Sequence, residues 1–398
     1  MSTAGTFTAA NGDVYVDKKR HFWLISLFPA FLTVSAPLLY LQTGNELFLW
    51  GLFLIHYGVF PVIDMLMGED TSNPPESVIP QLEADGYYRL ITRLHVPVVI
   101  ASFIFYGWFV ATQDLSMTGY LAAALIAGNI GGHGLNVGHE LGHKKNKLDQ
   151  WLAKIVLAPA AYGHFFVEHN RGHHRHVATP EDPASSKMGE SIYRFALREL
   201  PGAIARAFRV ERDRMRAANK SPWSLDNNFL QTMTMTLGTY IAMGIWLGPQ
   251  IIPYLIIAAF WSMWQLTSAN YIEHYGLLRQ KLANGRYERT QPHHSWNSNH
   301  IFSNWALFHL QRHSDHHANA GRSYQSLRHF DNLPTLPNGY FGMFAVAYIP
   351  WLWFKIMDKR LLDVVGGDIA KINMLPERRE YLINKYQLQS DAGQLASA

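Results

Sequence analysis

The hydrophobic positions of this sequence are collected into a few long blocks that are separated by polar stretches. Each block has the length, about 20 residues, that a helix needs to cross the hydrocarbon core of a bilayer. The blocks run from Phe22 to Leu41, Leu47 to Met67, Leu94 to Thr112, Met117 to Gly138, Phe229 to Leu247 and Ile251 to Ser268. Short breaks join successive blocks in pairs, so the pattern predicts an all-α integral membrane protein with six transmembrane helices in three hairpins.

Basic residues are distributed unequally between the two sides of these hairpins. The breaks 42–46, 113–116 and 248–250 contain no Lys or Arg. The opposite side carries Lys18, Lys19, Arg20, Arg89, Arg93, Lys144, Lys145 and Lys147. Because Lys and Arg are enriched in cytoplasmic loops, both termini and the long polar stretches are predicted to face the cytoplasm. No signal-peptide cleavage pattern follows the polar start, so the first span is expected to remain as an anchor.

The polar stretches are too long to be simple loops, and they predict a helical cytoplasmic cap. The expected organisation is an N-terminal segment (1–21), four spans (22–138), a cap region (139–228), two spans (229–268) and a second cap region with the C-terminal tail (269–398). The tail after Gln387 is small and polar, which predicts disorder.

Two segments of the cap regions have patterns of their own. An aromatic, apolar run from Tyr340 to Met357 is broken at Pro350, which predicts an interfacial or re-entrant segment or packing beneath the cap. Residues 194–220 carry seven arginines interleaved with apolar side chains. This pattern predicts an amphipathic helix on anionic lipid; docking of an acidic redox partner is the alternative.

The composition narrows the possible chemistry. Charged residues make up 16% of the chain, there is no cysteine, and there are 20 histidines. The absence of cysteine excludes disulfides, thiolate zinc sites and cysteine-held iron centres. A metal site in this chain must therefore use nitrogen and oxygen ligands.

Nine of the histidines lie in four short clusters at the predicted cytoplasmic side. The clusters read HELGH (139–143), EHNRGHH (168–174), NYIEHYG (270–276) and HSDHH (313–317). They contain His139, His143, His169, His173, His174, His274, His313, His316 and His317. Nine imidazoles are too many for one ion but suffice for two ions with four or five ligands each. They predict a dinuclear site.

The spacing within the clusters indicates how the ligands can divide. Residues three or four apart share a helix face, so His139 with His143, and His169 with His173, are expected to point at a common ion. The same argument pairs His313 with either of the two histidines that end its cluster. Adjacent histidines on a helix point about 100° apart, which favours two different ions.

Imidazole binds zinc, copper, iron and nickel, so the ligand type does not identify the metal. Polar neighbours of the clusters are expected to orient the ligand rings by accepting their second N–H. These neighbours are Glu140, Glu168, Asn270 and Glu273. Candidates for a proton relay are Asp182, Glu190 and Asp315. Direct binding of an ion by one of these carboxylates is the alternative.

The segment HELGH also matches the H-E-x-x-H pattern of zinc proteases, with Glu140 as the general base. An intramembrane metalloprotease needs only one further ligand, so this interpretation leaves seven clustered histidines unexplained. A metal transporter or store is a second alternative; it predicts metal sites along the spans, whereas the clusters lie at their ends.

The four clusters, in this order and between six spans, resemble the membrane alkane 1-monooxygenases. The three-box pattern is shared with membrane desaturases and xylene monooxygenases. The longer strings NYIEHYGLLRQ (270–280) and LQRHSDHHA (310–318) are more specific to the alkane enzymes. The resemblance extends from YVDKK (15–19) to GGDIAKI (366–372).

This resemblance implies a non-haem enzyme of the bacterial inner membrane with two iron ions. It implies hydroxylation of n-alkanes to primary alcohols with dioxygen and two electrons, by hydrogen abstraction and hydroxyl rebound. The nine clustered histidines are then the iron ligands. Rubredoxin is the implied electron donor, reduced in turn by a nicotinamide-dependent reductase. Because this chain lacks cysteine, the rubredoxin must lie outside this sequence; no nucleic-acid partner is expected. A membrane fatty-acid desaturase or hydroxylase is the alternative.

An alkane offers no polar group, so selection of its terminal methyl group must depend on shape. We expect a long, narrow apolar tunnel that opens to lipid and ends at the metal site. The fourth block is rich in small residues, which favours either close helix packing or a groove that admits the chain. These residues are Ala122, Ala123, Ala124, Ala127, Gly128, Gly131, Gly132, Gly134 and Gly138.

Overall fold

A computed structural model describes residues 5–388, which are mostly helical. Near the N-terminus, strand β1 (Thr6–Thr8) pairs antiparallel with β2 (Val14–Val16). The helices are α1 (Phe28–Thr43), α2 (Leu47–Leu54), α3 (Phe60–Met67), α4 (Ile79–Ala84), α5 (Gly86–Thr112), α6 (Met117–Gly142), α7 (Lys147–Val156), α8 (Phe165–Val167), α9 (His174–His176), α10 (Ile192–Ala217), α11 (Asn228–Leu247), α12 (Ile252–His274), α13 (Ile301–Ala306), α14 (His313–Ala318), α15 (Tyr340–Ala347), α16 (Pro350–Val365) and α17 (Arg379–Tyr386). The tail predicted to be disordered lies almost entirely outside the described residues.

Shorter helical turns connect several of these helices. The 3₁₀ turns are Phe22–Leu27, Glu76–Val78, Pro249–Ile251, Pro292–His294, Tyr324–Ser326, Ile369–Lys371 and Pro376–Arg378. Two π-helical turns, Ile55–Val59 and Glu168–His173, interrupt α-helical segments. The first joins α2 to α3 within one continuous apolar segment, and the second carries part of the histidine site.

Four helical segments in the described chain are long and apolar enough to cross a membrane. They are Phe22–Thr43, Leu47–Met67, Gly86–Thr112 and Pro249–His274. The run predicted to break at Pro350 forms α15 and α16, which meet at an angle of 119° and count as a fifth candidate if they are one bent span. Helices α6 and α11 form where the fourth and fifth spans are predicted, but they are less apolar: α6 carries Asn129 and His133, and α11 contains four threonines.

Close packing explains the small residues of α6. A Cβ atom at Gly128 would lie 2.6 Å from the Cβ of Trp261, and one at Gly131 would collide with Ser262, both on α12. The Ser262 hydroxyl bridges the two helices because it lies 3.0 Å from the carbonyl oxygen of Gly128 and 2.7 Å from that of Ala258. Gly134 faces Val99 of α5 instead of the cavity described below. Most of this stripe therefore serves helix packing, and Gly132 alone among its glycines also borders the cavity.

The two polar stretches fold onto each other. Met188 from the first pairs with Met374 from the second through a parallel β-bridge, and both belong to one core cluster with Tyr271, Trp296 and Trp353. The shared core buries large aromatic side chains, which are the largest apolar contribution that single residues make. This packing brings the segments that carry the histidine clusters together.

The basic helix α10 is only partly a surface helix. One side exposes Leu197 and Arg209, as the amphipathic pattern predicts. The other side buries Glu199, Arg206 and Glu211 and packs on the π-helical turn 168–173 and on α12. Helix α10 therefore also has a polar face that is directed into the protein. Arg206 lies on this buried face and does not belong to the exposed basic surface.

Replacing Gly131 by alanine should destabilise the protein by about 1–3 kcal/mol, because the new methyl group has no space beside Ser262. Gly238 of α11 has no atom within 4 Å of an added Cβ and provides a matched control. Thermal unfolding of the purified protein in detergent should show a lower Tm for Gly131→Ala and an unchanged or higher Tm for Gly238→Ala. Equal Tm values for the two variants would show that α6 and α12 do not pack at this distance.

Candidate metal centre

The structure brings the nine clustered histidines into one buried region from four parts of the chain. His139 and His143 lie at the end of α6, and His274 is the last residue of α12. The π-helical turn with α9 supplies three histidines, and α14 supplies the last three. Within the described residues they form two groups whose candidate ligand atoms lie within 4.8 Å of one another.

The first group contains five histidines. Its members are His139, His143, His169, His174 and His316. The Nε2 atom of His316 lies 2.9 Å from that of His139 and 3.1 Å from that of His174, which is 3.0 Å from the Nε2 atom of His169. Metal–nitrogen bonds of about 2.1 Å place neighbouring ligand nitrogens about 3.0–3.4 Å apart. The spacing therefore fits one metal ion.

The second group contains four histidines. Its members are His173, His274, His313 and His317. The Nε2 atom of His313 lies 2.8 Å from that of His317 and 3.2 Å from that of His274. The buried Nε2 atoms of His173 here, and of His143 in the first group, have no hydrogen-bond partner in the described chain. Converging nitrogens that face each other without protein donors are the arrangement that a cation stabilises, so both groups fit metal ions.

The two groups agree with only part of the histidine pairing that helical spacing predicts. His173 and His174 fall in different groups, as do His316 and His317, which agrees with the 100° separation of adjacent residues. However, His169 does not share a group with His173. The π-helical turn has i→i+5 hydrogen bonding, and it directs His169 and His174, five residues apart, to the same ion position.

A chain of buried charges orients His173. Its Nδ1 atom lies 2.9 Å from Oδ2 of Asp182, and Oδ1 of Asp182 accepts a 2.7 Å hydrogen bond from Arg206. Arg206 also donates to Oε1 of Glu168 over 2.9 Å. Burial opposes ionisation of Asp182, but the adjacent His173 and Arg206 hold its pKa well below its usual range. The ionised carboxylate fixes the Nδ1–H tautomer of His173, which leaves Nε2 free for a metal.

Glu273 is a second carboxylate beside the second group, next to His313. It is buried, and its Oε2 atom lies 3.3 Å from Nε2 of His313. Its other oxygen, Oε1, has no hydrogen-bond partner in the described residues. Glu273 can therefore reach a metal ion in this group, which is the alternative role that its position in the sequence left open.

Three other carboxylates predicted near the histidines are directed elsewhere. Glu140 pairs with Lys144 at 2.7 Å, and Glu190 pairs with Arg198 at 2.8 Å. Asp315 accepts a 3.0 Å bond from Arg322 and braces the loop that follows α14. None of the side-chain hydrogen bonds that these three form in the described chain reaches a clustered histidine. The expected relay roles of Glu190 and Asp315, and the ring-orienting role of Glu140, are thus without a contact to support them.

The sequence did not predict a buried group of hydrogen bonds that centres on Glu199. Glu199 of α10 accepts hydrogen bonds from Tyr162 (3.0 Å), Thr267 (2.8 Å) and Asn270 (3.3 Å). It thereby ties α10 to α12 and fixes Asn270, which lines the cavity beside the histidines. Burial raises the pKa of Glu199 to about 7. The available sequence signal was an acidic residue on the apolar face of an otherwise basic helix.

An elongated cavity ends at both histidine groups. Its volume is about 1030 Å³ including its open mouth. One end is bounded by His139, His169, His313 and Glu273. Its walls include the apolar side chains Leu266, Leu310, Phe341 and Phe344, and residues of α1, the 55–59 turn and α6 also border it. A chain-like apolar molecule in this cavity would place one end at the histidines.

Apolar helices, two buried groups of histidines that could hold metal ions and an adjoining apolar cavity are typical of a class of membrane oxidoreductases. In agreement, the family model described as fatty acid desaturase matches residues 115–347, which include every histidine cluster. The short H-E-x-x-H segment is not isolated here but is one part of this larger arrangement, and its Glu140 does not border the cavity.

Individual relatives are more specific. The chain is 53% identical over 378 residues to alkane 1-monooxygenase 1 of Alcanivorax borkumensis, covering 95% of this chain and 93% of the relative. It is 51% identical over 382 residues to the alkane 1-monooxygenase of Ectopseudomonas oleovorans, covering 94% of each. The hydroxylase component of a Pseudomonas putida xylene/toluene monooxygenase is 26% identical over 56% of this chain. The chain belongs to the alkane 1-monooxygenase family.

The stability of the protein should depend on pH through Glu199. Because its pKa rises from 4.5 to about 7 on folding, the folded state keeps a proton that the unfolded state loses in this window. Stability is therefore fully present below about pH 4.5 and falls as the pH rises towards 7. Glu199→Gln should flatten the decline of Tm between pH 5 and 7.5, whereas the exposed control Glu380→Gln should keep it. Parallel profiles for all three proteins would contradict this assignment.

Proposed function

We propose that this protein hydroxylates the terminal methyl group of n-alkanes with dioxygen, two protons and two electrons supplied by rubredoxin. Two iron ions are held by the five-histidine and four-histidine groups, and when bound they supply the redox chemistry that activates dioxygen. The observation that carries this proposal is the apolar cavity that ends at both groups. The names of the relatives, alkane 1-monooxygenases at 51–53% identity, support it.

The membrane arrangement that we propose has six spans in three hairpins, formed by α1, α2–α3, α5, α6, α11 and α12. Helix α6 packs between α5 and α12, and Thr232 and Thr236 of α11 are buried, so these polar residues can face protein or the cavity instead of lipid. The unequal loop charges support a topology in which the histidine region and both termini face the cytoplasm, and the membrane that we propose is a bacterial inner membrane. Residues 139–228 and 269–388 then form the cytoplasmic cap.

The protein's own residues prepare the site by fixing imidazole orientation. Asp182 keeps a proton on Nδ1 of His173, and Arg206 keeps Asp182 ionised. Glu273 is placed to bind a metal ion or to hold a proton beside the reacting methyl group, because it borders both the cavity and His313. Of the three relay candidates, Asp182 alone is retained, since its contact with His173 links it to the site. Glu190 and Asp315 brace the surrounding loops through their arginine partners.

The cavity selects the reacting carbon by restricting entry. Apolar walls give an alkane little advantage over the bilayer, because the chain is already out of water there. The shape of the cavity therefore determines which carbon reaches the histidines. An alkane that enters end-on presents a methyl group. The proposal requires electrons from another protein, because this chain contains no cysteine to hold an iron–sulfur or rubredoxin-type centre.

Alanine at His316 should abolish alcohol formation, because it removes the imidazole that contacts both His139 and His174 in the first group. Purified protein would be supplied with octane, rubredoxin, its reductase and a nicotinamide cofactor. We expect 1-octanol from the unmodified protein and from His293→Ala, an exposed histidine, and a loss of at least about 100-fold for His316→Ala. Retained activity in His316→Ala would favour a mononuclear site, and unsaturated product from an acyl substrate without any octanol would favour a desaturase.

Asparagine at Asp182 should weaken metal binding in the second group by about 10–100-fold, because His173 loses the carboxylate that orients it. Iron content would be measured after dialysis against a chelator series. Glu181→Gln, a neighbouring exposed carboxylate, should retain iron like the unmodified protein. Equal iron retention in all three proteins would show that Asp182 does not support a metal ligand.

A further inference from the structure

A polar pocket borders the five-histidine group and is separate from the apolar cavity. Its volume is about 950 Å³ including its open mouth, and charged or polar side chains form most of its lining. It lies between α5, α6, α7 and the loop that follows α14. His143 belongs to its lining, whereas the apolar cavity reaches the same group at His139 and His169. None of the described residues borders both spaces, so two spaces of different polarity approach the five-histidine group.

Two residues of the polar pocket carry buried polar atoms that have no hydrogen-bond partner in the part of the chain that the structure describes. These atoms are Nε2 of His143 and Oδ2 of Asp149. Asp149 is fully buried, and Arg93 bonds to its other oxygen, Oδ1, at 2.7 Å. A buried carboxylate oxygen without a partner is costly, and a metal ion with its bound water would satisfy it. Asp149 and His143 thus offer one oxygen and one nitrogen ligand in the same pocket.

The charges of the polar pocket differ between its inner and outer parts. Glu140 and Asp149 are buried, whereas Arg89 and Lys145 are exposed. The two carboxylates therefore lie deeper than these two cations. Lys144 pairs with Glu140 at 2.7 Å, which leaves Asp149 as the buried carboxylate with a free oxygen.

The polar pocket and the apolar cavity suit different solutes. A divalent cation in water holds its hydration shell strongly, and transfer of a charge into apolar surroundings is very unfavourable. The apolar cavity, with walls that include Leu266, Leu310, Phe341 and Phe344, would oppose the entry of such an ion. In the polar pocket the ion can exchange water first for carboxylate oxygen and then for imidazole nitrogen. It is then never without polar ligands.

We propose that the polar pocket is the path by which divalent metal ions enter the five-histidine group. A hydrated ion passes Gly321 and Lys145 at the mouth, exchanges water for the free oxygen of Asp149 and then binds Nε2 of His143. This inference rests on the proposed function, which requires metal ions in the histidine groups, and adds the route by which these ions arrive.

Gly321 allows the mouth of the polar pocket to be narrowed. It is exposed, its backbone lies outside the left-handed region, and no atom lies within 4 Å of an added Cβ. Gly321→Phe should slow the uptake of Co²⁺ by the metal-free protein at least about fivefold, with the same amount of Co²⁺ bound at equilibrium. Gly238→Phe, at an exposed position of α11 with equal space, is the matched control and should keep the rate of the unmodified protein. Uptake would be followed by the visible absorption that grows as imidazole replaces water around Co²⁺.

The release of Co²⁺ to a chelator distinguishes a narrowed path from a damaged metal site. Because uptake and release use the same path, Gly321→Phe should slow both by the same factor. A damaged site would instead release Co²⁺ faster. Equal uptake rates in Gly321→Phe and Gly238→Phe, or slower uptake combined with faster release, would overturn the proposal.

Charge at the mouth of the pocket provides a second test that does not depend on added volume. Lys145→Glu should speed Co²⁺ uptake about two- to fivefold at low ionic strength, and high salt should remove most of the difference. Lys147→Glu makes the same charge change at an exposed position outside the pocket lining and should have a smaller effect. Equal effects of the two variants would contradict entry beside Lys145. If the unmodified protein binds no Co²⁺, the proposed metal centre fails instead, so the two failures are distinguishable.

Discussion

The structure depends on one constraint: nine imidazoles must converge in a buried region with their nitrogens about 3 Å apart. Neutral rings at this spacing direct lone pairs towards each other, an arrangement that metal ions stabilise. Before metal binds, the surrounding protein must hold the rings in place. The buried pairs between Arg206, Asp182 and Glu168 do so for the π-helical turn, and Glu199 anchors the adjoining helices.

The same constraint explains the membrane-side packing. Helices α6 and α12 carry ligands at their ends, so they must approach closely for His139 and His274 to reach neighbouring positions. Gly128 and Gly131 permit this approach, and Ser262 bridges the two backbones. The cavity remains on another side of α6, where His133 and His139 face it. The histidine groups and the cavity beside them thus both depend on this helix pair.

Sequence patterns predicted the apolar helices, the break at Pro350 and the convergence of histidine clusters, because these depend on hydropathy and local spacing. They did not predict the pairing of His169 with His174, because the sequence of this segment is compatible with both an α-helical and a π-helical turn. They also did not predict the orientation of Glu140. Because Glu140 follows His139 directly in the helix, its side chain points about 100° away from that histidine. Arg206 was counted with the basic surface because nothing local distinguishes a buried arginine within an arginine-rich helix; its partners are distant in the chain.

The central claim is that two metal ions lie in the two histidine groups, and anomalous scattering at the iron absorption edge tests it most directly. Crystals of the iron-loaded protein should show two peaks. One should lie among His139, His143, His169, His174 and His316, and the other among His173, His274, His313 and His317. A single peak held by the H-E-x-x-H segment alone, or iron outside both groups, would contradict the account.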